Sequence, residues 1–123
     1  MGFFFATSWS PDGARVCGPL ISTSGRAAAV GVYDLKAQRS TAIAMGEAFG
    51  VRWLPDSRRV IYFTTGNRPE LVVVDSLTHQ RSVVPVRLPG RPTNDVFSLS
   101  PDGRTLYYGA IHAEADIWIV ERK

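Results

Sequence analysis

Three corners of nearly the same chemistry divide this chain at almost equal intervals. They are Trp9-Ser10-Pro11-Asp12-Gly13, Trp53-Leu54-Pro55-Asp56-Ser57 and Leu99-Ser100-Pro101-Asp102-Gly103. Their prolines stand 44 and then 46 residues apart. A period of that size marks one supersecondary unit used repeatedly, each copy burying its apolar face on the next.

The match reaches beyond the corners. Alternating apolar positions precede them: Phe5, Thr7 and Trp9, then Phe49, Val51 and Trp53, then Phe97 and Leu99. A period of two marks a strand. After each corner a polar start runs into β-prone residues, as in Arg58-Arg59-Val60-Ile61-Tyr62-Phe63. A further block follows: Val30-Gly31-Val32-Tyr33-Asp34, Leu71-Val72-Val73-Val74-Asp75 and Ile117-Trp118-Ile119-Val120-Glu121. Such continuous apolar runs suit a middle strand covered on both faces. A fourth strand is expected over about 40–45 and 81–88, and the third unit reaches Lys123 without one.

One stretch competes. Residues 27–48 are rich in helix formers, among them Leu35, Lys36, Ala37, Gln38, Ala42 and Met45. The aligned second unit, with Val72-Val73-Val74 and Val83-Val84-Pro85-Val86, cannot be helical, so the repeat overrides local propensity.

The corners explain themselves as turns. Pro11, Pro55 and Pro101 preset φ for the second turn position. Asp12, Asp56 and Asp102 accept bonds from nearby backbone N–H groups. Gly13 and Gly103 take the positive φ that follows. Ser57 departs from glycine, so its turn is expected to be strained or closed differently. An acidic residue recurring once per unit serves what every unit needs, which favours a turn role over metal binding or catalysis.

The expected fold is therefore all-β: a partial β-propeller of about three four-stranded antiparallel blades, the last lacking its outer strand. Residues 1–123 form one partial propeller domain, with blades at about 3–46, 47–92 and 93–123. Propellers hold typically about four to eight blades. A partial ring leaves apolar blade faces bare, and such patches drive association. Two expectations follow: the chain is the C-terminal part of a longer propeller, or copies self-associate head-to-tail into a closed ring.

Phe97-Ser98-Leu99-Ser100-Pro101-Asp102-Gly103 and Asp116-Ile117-Trp118-Ile119-Val120-Glu121 resemble the WD40-like repeat units of the TolB-type propeller family. The resemblance covers essentially the whole chain. It implies a non-catalytic scaffold that binds a protein or peptide, in the bacterial periplasm or an extracytoplasmic domain. Similar units also occur in the propeller portion of prolyl-oligopeptidase-type peptidases and in extracytoplasmic sensor propellers of bacterial receptor-like kinases. A shared fold leaves those functions open.

The residues point to no enzyme within this chain. A Gly-x-Ser-x-Gly nucleophile elbow is absent, as is a glycine-rich phosphate loop before a helix. His79 falls in an expected hairpin turn, and His112 in an expected loop. His112 with Glu114 and Asp116 is the one weak candidate for a cation site, and no cysteine or histidine pair supports zinc. No cofactor is expected. Net charge is +3, but the arginines, including Arg52, Arg58 and Arg59, form no stripe or block. They read as solvated charges, with no nucleic-acid partner expected. Cys17 stands alone in an apolar stretch and reads as a small buried side chain. No run approaches ~18 apolar residues, so no membrane span is expected.

Overall fold

Strands recur in the same order along the chain, and each set forms its own antiparallel sheet. The computed structural model describes residues 3–65, 68–88, 91–111 and 116–121. The first sheet holds β1 (Phe3–Phe4), β2 (Ser8–Trp9), β3 (Arg15–Ile21), β4 (Ala27–Asp34) and β5 (Arg39–Met45). The second holds β6 (Ala48–Trp53), β7 (Arg59–Thr64), β8 (Leu71–Asp75) and β9 (Arg81–Val83). The third holds β10 (Arg91–Leu99), β11 (Thr105–Ile111) and β12 (Asp116–Glu121). Each is an antiparallel meander in chain order, open at both edges.

β1 and β2 are two halves of one first strand, since both pair with β3. Phe5 N–H to the Pro19 carbonyl (3.0 Å) and Thr7 N–H to the Cys17 carbonyl (2.8 Å) carry the ladder between them. The register also shifts in β6, between Phe49 and Arg52, and in β10, between Pro92 and Phe97. An irregularity in the first strand of every sheet increases its local twist.

β7 and β8 of the middle sheet are buried on both sides, and the sequence alternation divides their contacts. Val60, Tyr62, Val72 and Val74 pack with Cys17, Val30 and Val32 of the first sheet. Ile61, Phe63, Leu71 and Val73 pack with Phe97, Leu106 and Tyr108 of the third. Phe63 is the hub of the second interface: its ring meets Phe97 edge-on at 5.0 Å and lies 5.4 Å from Tyr108. Burying each such side chain contributes about 1.5–3 kcal/mol. Residues 27–48, the helix-rich stretch, form β4 and β5 because Val30, Val32 and Ile43 complete the first interface. A helix would turn part of that set away.

Two expectations need correction. The fourth strand of the second sheet ends at Val83 rather than near Leu88. Val84 N–H still bonds the Leu71 carbonyl (2.8 Å), and Pro85, lacking an N–H, follows. The third block is not covered on both faces, because Ile119 of β12 is 58% exposed. Its partner across the ladder, Tyr107, is also exposed. Among the described residues, no helix is long and apolar enough to cross a membrane.

Candidate functional site

The first strands of the three sheets lie side by side and are tied across the sheet boundaries. Thr7 Oγ1 donates to the Val51 carbonyl (2.7 Å), and Trp53 N–H donates to Ser8 Oγ (3.2 Å). Arg52 Nη2 reaches the Phe97 carbonyl (3.3 Å). Where these strands meet their corners, a cleft of about 270 Å³ opens. Its walls are Ser8, Arg52, Trp53, Ser98, Leu99 and Ser100 with Pro11, Pro55 and Pro101.

The corners are closed by local hydrogen bonds. Gly13 N–H bonds the Ser10 carbonyl, and Gly103 N–H the Ser100 carbonyl, each at 2.8 Å. Ser10 Oγ donates to Asp12 Oδ1 at 2.6 Å and accepts from Arg15 N–H. Ser100 and Asp102 repeat the pattern, with Thr105 N–H as donor. These serine hydroxyls, then the backbone N–H groups of Ala14 and Arg104, hold both carboxyls below the usual carboxylate range. At the middle corner Leu54 replaces the serine. Asp56 Oδ1 takes over, accepting from the N–H groups of both Arg58 and Arg59. The Pro-Asp residues thus spend their polar atoms on the turn.

Ser57 adopts the left-handed backbone itself, at φ 56°, beside 75° for Gly13 and 71° for Gly103. A side chain there costs strain. It also supplies an oxygen that glycine lacks: Asp12 N–H bonds Ser57 Oγ at 3.0 Å, joining neighbouring corners. Arg15 reinforces that joint. Its Nη2 donates to the Ser57 carbonyl (2.7 Å) and its Nη1 to Ser76 Oγ (3.0 Å), with the guanidinium over Trp53.

Arg52 sits in the cleft wall. Its guanidinium lies 5.4 Å from the Phe97 ring centroid, and Nη1 donates to the Val51 carbonyl (2.9 Å). Partial burial lowers its pKa, which for guanidinium leaves the charge in place. Read from sequence as a solvated charge, Arg52 is instead half-buried. No local pattern marks it, because the Phe97 contact spans 45 residues. A second, larger groove of about 480 Å³ lies between the second and third sheets, lined by Arg59, Val73, residues 82–86 and Glu121.

Of the weak cation candidates, His112 and Glu114 lie outside the described residues. Asp116 opens β12 opposite Ala110. Among the described residues, no three His, Cys, Asp or Glu side chains converge to hold a metal ion. His79 sits in the β8–β9 turn at φ 64°, its N–H bonded to the Asp75 carbonyl at 2.8 Å.

No family model and no curated protein matches the chain. Solved structures do. TolB from Acinetobacter baumannii matches with a TM-score of 0.67 at 18% identity, over 98% of this chain and 30% of that one. A protein described as TolB from Agrobacterium tumefaciens matches with a TM-score of 0.70 at 20% identity, over 92% of this chain and 40% of that one. The β-propeller domain of the Trilobed protease from Pyrococcus furiosus gives 0.57 at 18%, over 94% and 40%. The chain thus spans well under half the length of the structures it matches. Such identities bear on fold alone, and the fold is that of a segment of a TolB-type β-propeller, three neighbouring antiparallel sheets in an open array.

Proposed function

We propose that this chain belongs to a non-catalytic propeller scaffold that binds a protein or peptide partner. In this reading residues 3–46, 47–92 and 93–123 are successive blades, and the binding surface lies where their first strands and corners meet. The observation that carries it is the cleft beside Arg52, whose walls come from all three sheets. A site assembled from separate repeats suits recognition of an extended partner, since adjacent blades offer contacts in series.

Selection of a random peptide library displayed on phage against the whole chain tests the proposal. The expected result is an enriched peptide that binds saturably and is recovered intact by mass spectrometry. A panel with no enrichment, or a peptide returned cleaved, would sink it. The peptidase-propeller alternative draws on the likeness to the Pyrococcus furiosus domain. It requires a hydrolase segment elsewhere in the same reading frame, and sequencing that frame decides it.

A further inference from the structure

We infer that the cleft between the first strands is a carboxylate site, in which the Arg52 guanidinium receives the side chain of an Asp or Glu from a bound peptide. This rests on the scaffold reading and names the chemistry its site selects.

Arg52 has no carboxylate partner among the described residues. Arg26, Arg58 and Arg59 each hold a carboxylate, of Glu47, Asp75 and Asp56 respectively, at 3.0, 2.8 and 2.7 Å. Those three arginine side chains are 75%, 48% and 46% exposed, where a counter-charge contributes little. Arg52 is half-buried, and its hydrogen-bond acceptors among the described residues are two backbone carbonyls, of Val51 and Phe97. A guanidinium carries five N–H donors. Among the described residues two are used, so the fork retains donors for a ligand. Withdrawing a cation from water is costly until an anion and further hydrogen bonds compensate it.

The surroundings select the anion. Trp53 borders the same cleft, and its Nε1 donor is buried with no hydrogen-bond partner. Ser98 adds a hydroxyl on an exposed side chain. The remaining walls are Ser8, Ser100, Leu99 and the three prolines. One guanidinium among neutral hydroxyls, Leu99 and prolines suits a planar monoanion, which pairs with its fork in bidentate fashion. A phosphate dianion would bring a second charge that no other cation among the described wall residues meets. A volume of about 270 Å³ admits one side chain rather than a nucleotide.

The test is a titration of the full chain, uniformly labelled with 15N and followed by NMR at the arginine Nε and backbone amide signals, the amides of the cleft strands serving as the reporter in the variants. The probes are N-acetyl-glutamate methylamide, its neutral glutamine counterpart and inorganic phosphate, at matched ionic strength. The Arg52 signal is assigned by its loss in Arg52→Gln. Expected is a saturable shift with the glutamate probe, at least about tenfold weaker with glutamine and weakened in Arg52→Lys. Equal responses to glutamate and glutamine overturn the inference, as does a response that sodium chloride reproduces. Tighter binding of phosphate overturns the carboxylate assignment. Should Arg52→Gln not fold, Arg52→Lys checked by circular dichroism supplies the comparison, and unweakened binding there also overturns it. A selected peptide that binds while the glutamate probe gives no shift sinks this inference alone.

Discussion

The guanidinium of Arg15 lies 4.8 Å from the ring centroid of Trp53, across the boundary between the first two sheets. The same guanidinium bonds the Ser57 carbonyl and Ser76 Oγ, so one side chain crosses to three residues of the neighbouring sheet. Its counterpart, Arg59, turns back to Asp56 in its own corner. At the position of Trp53 the third unit has Leu99, with no aromatic ring to offer. The two sheet boundaries are therefore joined differently, the first by a charged clamp and the second by the aromatic cluster around Phe63.

Removing the clamp should weaken the chain measurably. Arg15→Ala forfeits two charge-assisted hydrogen bonds and the stacking on Trp53, at a cost of about 2–3 kcal/mol. Arg15→Lys keeps the charge but not the fork, and should still cost about 1 kcal/mol. Urea unfolding monitored by circular dichroism measures both, and a wild-type midpoint for Arg15→Ala would contradict the clamp.

Two glycines separate strain from crowding. Gly13 has φ 75° with open space around it, so Gly13→Ala should cost about 1–2 kcal/mol from the backbone alone. Gly50 has φ 64°, and a Cβ there would stand 2.5 Å from the Phe97 ring. Gly50→Ala should therefore cost more, about 2–4 kcal/mol, as overpacking adds to strain. Equal losses in the two variants would show that Phe97 simply moves aside.

Acid should loosen the corner between β8 and β9. The Arg58 guanidinium, then the Thr78 and Leu77 N–H groups, lower the Asp75 pKa from 3.8 to about 2. A depressed carboxylate stabilises the fold above the unfolded value, and that contribution fades as pH falls from about 4 towards 2. Thermal unfolding across that window should show a shallower pH dependence for Asp75→Asn than for wild type. Parallel curves would argue against the Arg58–Asp75 pair.

The Cys17 thiol is fully buried, and burial pushes its pKa up to about 12. An aromatic disulfide reagent at pH 8 should leave it unlabelled in the folded chain and react on unfolding in urea. Rapid labelling without denaturant would mean the first interface opens readily.

Bare sheet faces should make the chain associate. Trp9 stands where Trp53 is covered, yet it is 64% exposed, and Ile119 and Tyr107 are exposed on the far sheet. Light scattering behind size exclusion should find species above 13.5 kDa, and Trp9→Glu or Ile119→Glu should shift them towards that mass. A clean monomer for the unmodified chain would contradict this.

The corner residues and the alternation were readable from the chain itself because both are local. Pro, Asp and Gly at fixed offsets dictate a turn whatever surrounds them, and a period-two pattern states which side chains share a face. Repetition then settled residues 27–48, which local propensity alone would misassign. What lay beyond local reading was pairing across sheets. Arg15 meets Ser57 and Ser76, and Arg52 meets Phe97, through contacts separated by 42 to 61 residues. Sequence could place these arginines on strands but not distinguish clamp from cleft wall from surface charge. That distinction arises only when neighbouring sheets stack, because burial and hydrogen-bond partners belong to the interface rather than to either strand.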